Sequence, residues 1–305
     1  MGSTVPMLLV HGGAGVIRSM DTTTESGVRA ALANALQRGH AELAASGSAC
    51  DAVAAAVAAL EDAPYFNAGR GAVFTHEGTN ELDAAIMDGA TLHAGAIAGV
   101  HHVRNPVLLA RAVMEHSSHV MLAGDGAESF AREQGIALVD PEYFRTEIRW
   151  QQLQDARREA PKGGHVDHFG TVGAVALDTR GHLAAATSTG GLHGQRPGRV
   201  GDSPVIGAGT YANAACAMSG TGWGEFYIRT AAAHAVCMRV ESMCHPVTDA
   251  AEEVINNEIP RLGGSGGAIV LGADGSFAMP FNTDGMYRGW IGRDGVPYVA
   301  IWPGE

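Results

Sequence analysis

Glycine constrains this chain more than any other residue: it fills 42 of 305 positions, about twice the usual share. The glycines show no collagen period and form no low-complexity tract, so they must serve tight turns and close backbone approach. Many cluster where apolar runs end, as in His11-Gly12-Gly13-Ala14-Gly15 and Asn67-Ala68-Gly69-Arg70-Gly71. That pattern belongs to a loop-rich protein of strands and helices. With 46% apolar and 17% charged residues, disordered and coiled-coil classes are excluded. A chain of 305 residues can bury roughly three quarters of its unfolded surface, so its core needs no covalent staples.

Charge and composition narrow the function classes. The net charge is −12, from 32 acidic against 20 basic residues, which is the wrong sign for a general nucleic-acid binder. Lys162 is the single lysine, so no P-loop can be written. No apolar run reaches the ~20 residues of a membrane span; the alanine-rich stretch after Cys50 is broken by Asp51, Glu61 and Asp62. Met7-Leu8-Leu9-Val10 is too short for a signal h-region and no positive segment precedes it, which makes a cytoplasmic protein the expectation. Cys50, Cys216, Cys237 and Cys244 lack C-x-x-C spacing and are expected as free, buried thiols. His165 and His168, in a loop-like stretch, and His116 and His119, at a helix end, are expected to be solvated, since a zinc site needs three or four convergent ligands.

Periodicity predicts a strand over Val5–Val10, a turn at His11–Gly15 and helices over about 24–46 and 49–60. Strands are expected at 72–75, 81–87 and 94–100, then helices at 105–116, 124–135 and 143–159. A linker, Ala160 to His168, follows. After Gly170, a strand of small and β-branched residues (171–178) turns at Thr179–His182 into a hairpin partner, 183–188. Further strands are expected at 205–208 and 214–218, helices at 224–238 and 247–257, and a last hairpin over 268–281. Hairpins from both halves with helices around them suggest two stacked sheets sandwiched by helices, in a single domain.

The chemistry starts at Thr171. A threonine hydroxyl is a weak nucleophile unless a base lies beside it, and a threonine at a chain terminus carries its own, an α-amine of pKa ~7.7–8. Reaching that state requires cleavage of the Gly170–Thr171 bond, where a linker runs into a glycine whose carbonyl is sterically open. Thr187-Ser188-Thr189-Gly190-Gly191 ends the hairpin partner and brings hydroxyls to the same sheet edge. Pro197-Gly198-Arg199-Val200-Gly201-Asp202-Ser203-Pro204 offers a guanidinium for a substrate carboxylate and a carboxylate for an ammonium, the parts of an α-amino-acid pocket. Ser219-Gly220-Thr221-Gly222-Trp223-Gly224-Glu225 sets a hydroxyl and glycine amides at a helix start, the parts of an oxyanion hole. Its glycine spacing is not that of a dinucleotide fingerprint.

Taken in order, these motifs, with Glu81-Leu82-Asp83-Ala84, Met87-Asp88-Gly89, Gly95 to Gly99, Arg104-Asn105-Pro106 and Pro280 to Met286, resemble the plant-type (class 2) L-asparaginases, or isoaspartyl (β-aspartyl) peptidases, of the N-terminal-nucleophile hydrolases. The resemblance spans nearly the whole chain. It implies an α+β fold, a four-layer αββα sandwich, and self-cleavage of the 1–305 domain into chains 1–170 and 171–305. It also implies hydrolysis of the side-chain amide of L-asparagine and of β-aspartyl dipeptides.

Residue by residue, the resemblance makes Thr171 the nucleophile in both self-cleavage after Gly170 and hydrolysis, with Thr189 orienting it. Thr221 and Gly222 form the oxyanion hole. Arg199 binds the substrate α-carboxylate, Asp202 its α-amine, Gly224 lines the pocket, and Asn67 touches the nucleophile region. No catalytic cofactor is implied. A structural sodium is, on the backbone carbonyls of Leu60, Glu61, Ala63, Phe66, Ala68 and Arg70, as is a dimer of cleaved αβ heterodimers. Trp223, Arg70 and the stretch Leu192 to Arg196 depart from the family pattern and bear on substrate preference. Two other readings are a glycosylasparaginase-like amidase, disfavoured by the missing secretory signal, and an uncleaved amino-acid-binding homologue without turnover.

Overall fold

In the computed structural model, residues 5–15, 17, 20–159 and 170–305 are described; the expected linker, with Lys162, His165 and His168, lies outside them. Strand β1 (Met7–Gly15) leads into helices α1 (Thr22–Ala44) and α2 (Ala49–Glu61). Then come β2 (Leu82–Asp88), β3 (Ala94–Val100), α3 (Pro106–His116), β4 (Met121–Ala123), α4 (Gly124–Glu133) and α5 (Glu147–Glu159). The second part contains β5 (Val172–Leu177), β6 (Leu183–Thr189), β7 (Thr210–Ala212), β8 (Cys216–Gly222), α6 (Gly224–Thr230), α7 (Ala232–Met243) and α8 (Val247–Glu252). It ends with α9 (Ile259–Arg261), β9 (Gly266–Gly272), β10 (Phe277–Ala278), β11 (Gly285–Ile291) and β12 (Tyr298–Ala300).

Local chemistry sets the helix starts. The Asp21 side chain accepts the Thr24 amide at 2.9 Å to begin α1, and Ser48 with Asp51 forms a reciprocal capping box at α2. The strands form an eight-stranded sheet, β12-β11-β1-β5-β6-β2-β3-β4, and a four-stranded one, β10-β9-β8-β7. Only the β3–β4 pair is parallel among the described residues.

Alternation along each strand explains the four layers. Leu8, Val10, Ala174 and Ala176 face α1, α2 and α3. Their neighbours Leu9, Val175 and Leu177 face the second sheet, where they meet Ala217, Ile269 and Leu271. Met218 and Val270, on the far side of that sheet, pack under α7 and α8. Sheets covered on both faces need apolar residues at every position, which is why β5 and β6 read as unbroken small-residue runs rather than as alternating ones. The result is an αββα sandwich.

Several local expectations need correcting. His11 to Gly15 is no turn but the continuation of β1, with a bulge between His11 and Gly13. Segments 72–75 and 205–208 are irregular, the first because side chains rather than a neighbouring strand take its backbone: Asn67 receives the Val73 amide and Asn80 donates to the Ala72 and Val73 carbonyls. The 224–238 helix breaks at Ala231, which takes a left-handed conformation (φ 48°) between α6 and α7. A π-helical turn, Glu253–Glu258, carries the chain on from α8. Strands β4, β7, β11 and β12 lie where the sequence predicts none. Cys50, Cys216 and Cys237 are free and buried, but Cys244 is exposed. Among the described residues no helix is long and apolar enough to cross a membrane.

Candidate active site

Thr171 is buried at the start of β5, in the middle of the larger sheet. Antiparallel pairing of Val172 with Ser188 sets Thr189, the last residue of β6, beside it. The Thr171 hydroxyl donates to Thr189 Oγ1 at 3.0 Å, and Thr189 Oγ1 also accepts the Gly191 amide at 3.1 Å.

On the opposite flank, His11 Nδ1 lies 3.0 Å from the Thr171 carbonyl oxygen. A carbonyl can only accept, so Nδ1 carries the proton and Nε2 accepts from the Ser219 hydroxyl at 2.9 Å. Burial holds this imidazole neutral, pushing its pKa down to about 3. Hydroxyl contacts continue from Ser219 to Thr187 (2.7 Å) and from Thr187 to Thr210 (2.6 Å). Thr210 Oγ1 also lies 2.9 Å from the Ser203 carbonyl.

The Gly170 carbonyl, on the bond expected to be cut, accepts the backbone amide of Asn67 at 3.2 Å. Asn67 is itself pinned: its amide nitrogen donates to the Gly191 carbonyl (2.7 Å) and its oxygen accepts the Val73 amide (2.9 Å). From behind, Arg149 of α5 donates to the carbonyls of Gly71 (2.9 Å) and Tyr65 (3.3 Å), so a buried guanidinium braces the loop carrying Asn67. The β1 bulge presses Gly13, at φ +110°, against Gly170; a Cβ on either would stand 2.1 Å from the other's Cα. One residue on, the Ala14 amide donates to Thr221 Oγ1 at 3.2 Å. Thr221 and Gly222 therefore close β8 beside the Gly170–Thr171 bond.

The loop 197–204 holds the other half of the site. Both carboxylate oxygens of Glu81 accept the Gly198 amide (3.1 and 2.9 Å). Arg199 forms a two-pronged ion pair with Glu225, Nε to Oε1 at 3.0 Å and Nη2 to Oε2 at 2.9 Å. Asp202 is buried, and its Oδ2 has no hydrogen-bond partner. Burial raises its carboxyl to about 7, partly offset by the Arg199 charge. Asp83, on β2, is likewise raised by burial, to about 6. A Cβ on Gly224 would stand 2.6 Å from Asp202 Oδ1 and 3.0 Å from Arg199 Nη2, so only glycine leaves room there for both side chains. Gln195 connects the halves, accepting the Leu192 amide at 2.9 Å and Arg199 Nη1 at 3.3 Å.

The structure thus gathers Thr171, Thr189, Asn67, Gly170 and Thr221 around one peptide bond and sets Arg199 and Asp202 together against Gly224. Sequence reasoning passed over His11, Ser219, Arg149, Gln195 and Glu225 as site residues. His11 lay inside a quoted motif and Glu225 directly after Gly224, yet only contacts between distant strands show their use. The Trp223 ring packs edge-on against Phe226 at 5.2 Å. Arg70 turns outward over the Tyr143 ring, 5.9 Å from its centroid.

Known proteins share this framework. A family model described as Asparaginase matches residues 4–301. The chain is 49% identical to the isoaspartyl peptidase of Escherichia coli K12, over 99% of this chain and 97% of that protein. It is 39% identical to a probable isoaspartyl peptidase/L-asparaginase 2 of Arabidopsis thaliana, over 97% and 98% of the two chains. With the isoaspartyl peptidase/L-asparaginase of Mus musculus it shares 42%, over 92% of this chain and 86% of the relative. A match of this length and identity makes the chain a member of the asparaginase family of hydrolases.

Proposed function

We propose that this protein is a threonine-nucleophile amidohydrolase that cuts its own Gly170–Thr171 bond and then hydrolyses the side-chain amide of L-asparagine and of β-aspartyl dipeptides, releasing L-aspartate. The observation that carries this reading is the pairing of a buried Thr171 hydroxyl, 3.0 Å from Thr189 Oγ1, with a Gly170 carbonyl that already accepts the Asn67 amide.

In self-cleavage, Thr171 Oγ attacks the Gly170 carbonyl carbon and its proton passes to the departing amide nitrogen. The C–N bond breaks as an ester forms, and the Asn67 amide stabilises the intermediate oxyanion. Water then hydrolyses the ester, leaving a Gly170 carboxylate and a free Thr171 amine and hydroxyl. In turnover, that amine takes the hydroxyl proton while Oγ attacks the substrate β-carbonyl. Thr221 and Gly222 stabilise the oxyanion, and the leaving amine collects the proton. Water releases aspartate from the acyl-enzyme. Arg199 holds the substrate α-carboxylate and Asp202 its ammonium, so α-linked peptides, which lack that free pair, are poor substrates.

In this reading the loop that carries Asn67 would hold a structural sodium on the backbone carbonyls of Leu60, Glu61, Ala63, Phe66, Ala68 and Arg70, oxygen ligands of the kind a hard cation takes. The ion's part would be to hold the loop. In this reading the cleaved αβ units pair as dimers.

Denaturing intact mass of the wild type and of Thr171→Ala tests the proposal. Fragments of 170 and 135 residues in wild type alone, with ammonia release from asparagine, are expected. An uncut chain that binds aspartate without turnover would overturn it in favour of a binding protein.

A further inference from the structure

Arg199 is surrounded by more carboxylates than it can serve, and the distribution of its hydrogens decides which are used. A guanidinium has five N–H groups in a fixed plane. Nε–H and one Nη2–H, along the side edge, go to the two oxygens of Glu225. One Nη1–H goes to Gln195 Oε1. What remains is one hydrogen on Nη1 and one on Nη2; with Gln195 taking the Nη1 hydrogen on the Cδ side, as proposed below, these two are parallel on the end edge and spaced for the two oxygens of a single carboxylate.

Asp202 is the obvious competitor for that edge. It is three residues away, buried, and lines the same space beside Gly224. Yet its Oδ2 makes no hydrogen bond, while the guanidinium turns its side edge to Glu225. Were Arg199 to swing onto Asp202, the carboxylate site and the ammonium site would quench each other.

We propose that Glu225 and Gln195 are positioning residues that grip Arg199 by its side edge and Nη1, aiming the free end edge at the substrate α-carboxylate and keeping the guanidinium off Asp202. This rests on the amino-acid clamp proposed above and adds to it the groups that set the clamp. Two effects of opposite sign act through Glu225: its charge repels an incoming carboxylate, and its grip orders a long side chain. The Glu225 side chain is 45% exposed, so water screens the repulsion, whereas the Arg199 side chain is only 16% exposed. Orienting a flexible arginine and holding a charge-assisted hydrogen-bond pair are together worth more than the screened repulsion.

The test uses purified, self-cleaved Glu225→Gln, which keeps the shape and removes the charge, with Glu225→Ala as the second variant. Steady-state kinetics on a β-aspartyl dipeptide give KM and kcat. Inhibition by L-aspartate and by β-alanine, which has the ammonium and the distal carboxylate but no α-carboxylate, gives two further constants. About a tenfold rise in KM and in the L-aspartate inhibition constant is expected for Glu225→Gln, matching a charge-assisted bond of about 1.4 kcal/mol. The shift should be larger for Glu225→Ala, with kcat within about threefold and β-alanine inhibition unchanged in both. A β-alanine constant that rises in step would make Glu225 merely structural. A KM that falls would make it a competitor for Arg199. Either overturns the proposal. Failure of the wild type to hydrolyse any β-aspartyl compound would instead overturn the function on which the proposal rests.

Discussion

The two halves of the site are built from opposite materials. Around Thr171 the partners are uncharged: a threonine hydroxyl, a neutral imidazole, serine and threonine hydroxyls, and the backbone amides of Asn67 and Gly191. Around Arg199 they are ionic: Glu225 is paired to it, and Asp202, Asp83 and Glu81 ring the same loop. In the proposed mechanism, this uncharged cradle lets the hydroxyl and the amine freed by self-cleavage exchange a proton without an ion pair to either. An ionic cradle does the reverse and selects a zwitterion by charge. Damage to the first should therefore fall on kcat and on self-cleavage, and damage to the second on KM and on the pH profile.

The most severe test of that division is steric. Gly13→Ala would drive a methyl to 2.1 Å from the Gly170 Cα at a backbone φ of +110°. Overpacking and left-handed strain each cost about 1–3 kcal/mol. Both fall on the bond to be cut, so self-cleavage should slow by about 10²–10³-fold, followed as the loss of the 305-residue band over time. If Gly13→Ala cleaves at the wild-type rate, the bulge in β1 has no part in presenting Gly170.

Next in size is Thr189→Val. It keeps the side-chain shape and removes the acceptor of the Thr171 hydroxyl proton, along with the Gly191 amide's partner. We expect kcat to fall about 10²-fold, because the nucleophile loses the hydrogen bond that orients it, with KM within about threefold. A change confined to KM would mean that Thr189 reports on the clamp and that the two halves are not separable.

The halves also differ in how far they could be read without coordinates. Thr171, Thr189, Arg199 and Asp202 lie in contiguous motifs whose residue types already state a chemistry. The layer order followed from hairpins and helices in succession, and the strands β5 and β6 from their unbroken small residues. What sequence could not show is what arrives from elsewhere in the chain. His11 meets Ser219 only because β1 lies against β5 with β8 packed behind them. Arg149 reaches Tyr65 and Gly71 across more than 75 positions, with no spacing rule to announce it. The reading of 11–15 as a turn failed for a related reason. Glycines that end a strand and glycines that let it bulge past another backbone look alike until the second backbone, here Gly170, is in place.

The smallest effect we predict is also the one that best separates the halves, because it is read as a slope and not as a loss. The Asp202 carboxyl is raised to about 7, first by burial and then by the negative charges of Glu225 and Asp83, while Arg199 acts against them. In the proposed clamp, ammonium capture needs the ionised form, so this group lowers kcat/KM as pH drops through about 7, by nearly tenfold per unit below it on its own and by nearly a hundredfold together with the amine. The freed Thr171 amine, pKa ~7.7–8, must also be neutral to accept the hydroxyl proton, and this acts in the same direction. The two limbs are separable because bound substrate ammonium stabilises the Asp202 carboxylate and lowers its pKa in the complex. The Asp202 limb should then appear in kcat/KM and vanish from kcat, whereas the amine limb should persist in kcat. Asp202→Asn should raise KM at pH 8 and leave kcat/KM with the amine limb alone. The sign for stability is opposite to that for activity. A buried carboxyl whose folded pKa exceeds its unfolded value near 3.8 stabilises the fold when protonated, so ionisation through about 7 weakens it. Asp202→Asn should consequently melt higher than the wild type at pH 8, with the difference shrinking steadily as pH falls from about 7 towards 3.8. An Asp202→Asn variant whose kcat/KM profile keeps the wild-type shape would place all of the titration at Thr171, and the ionic half of the site would have no pH signature of its own.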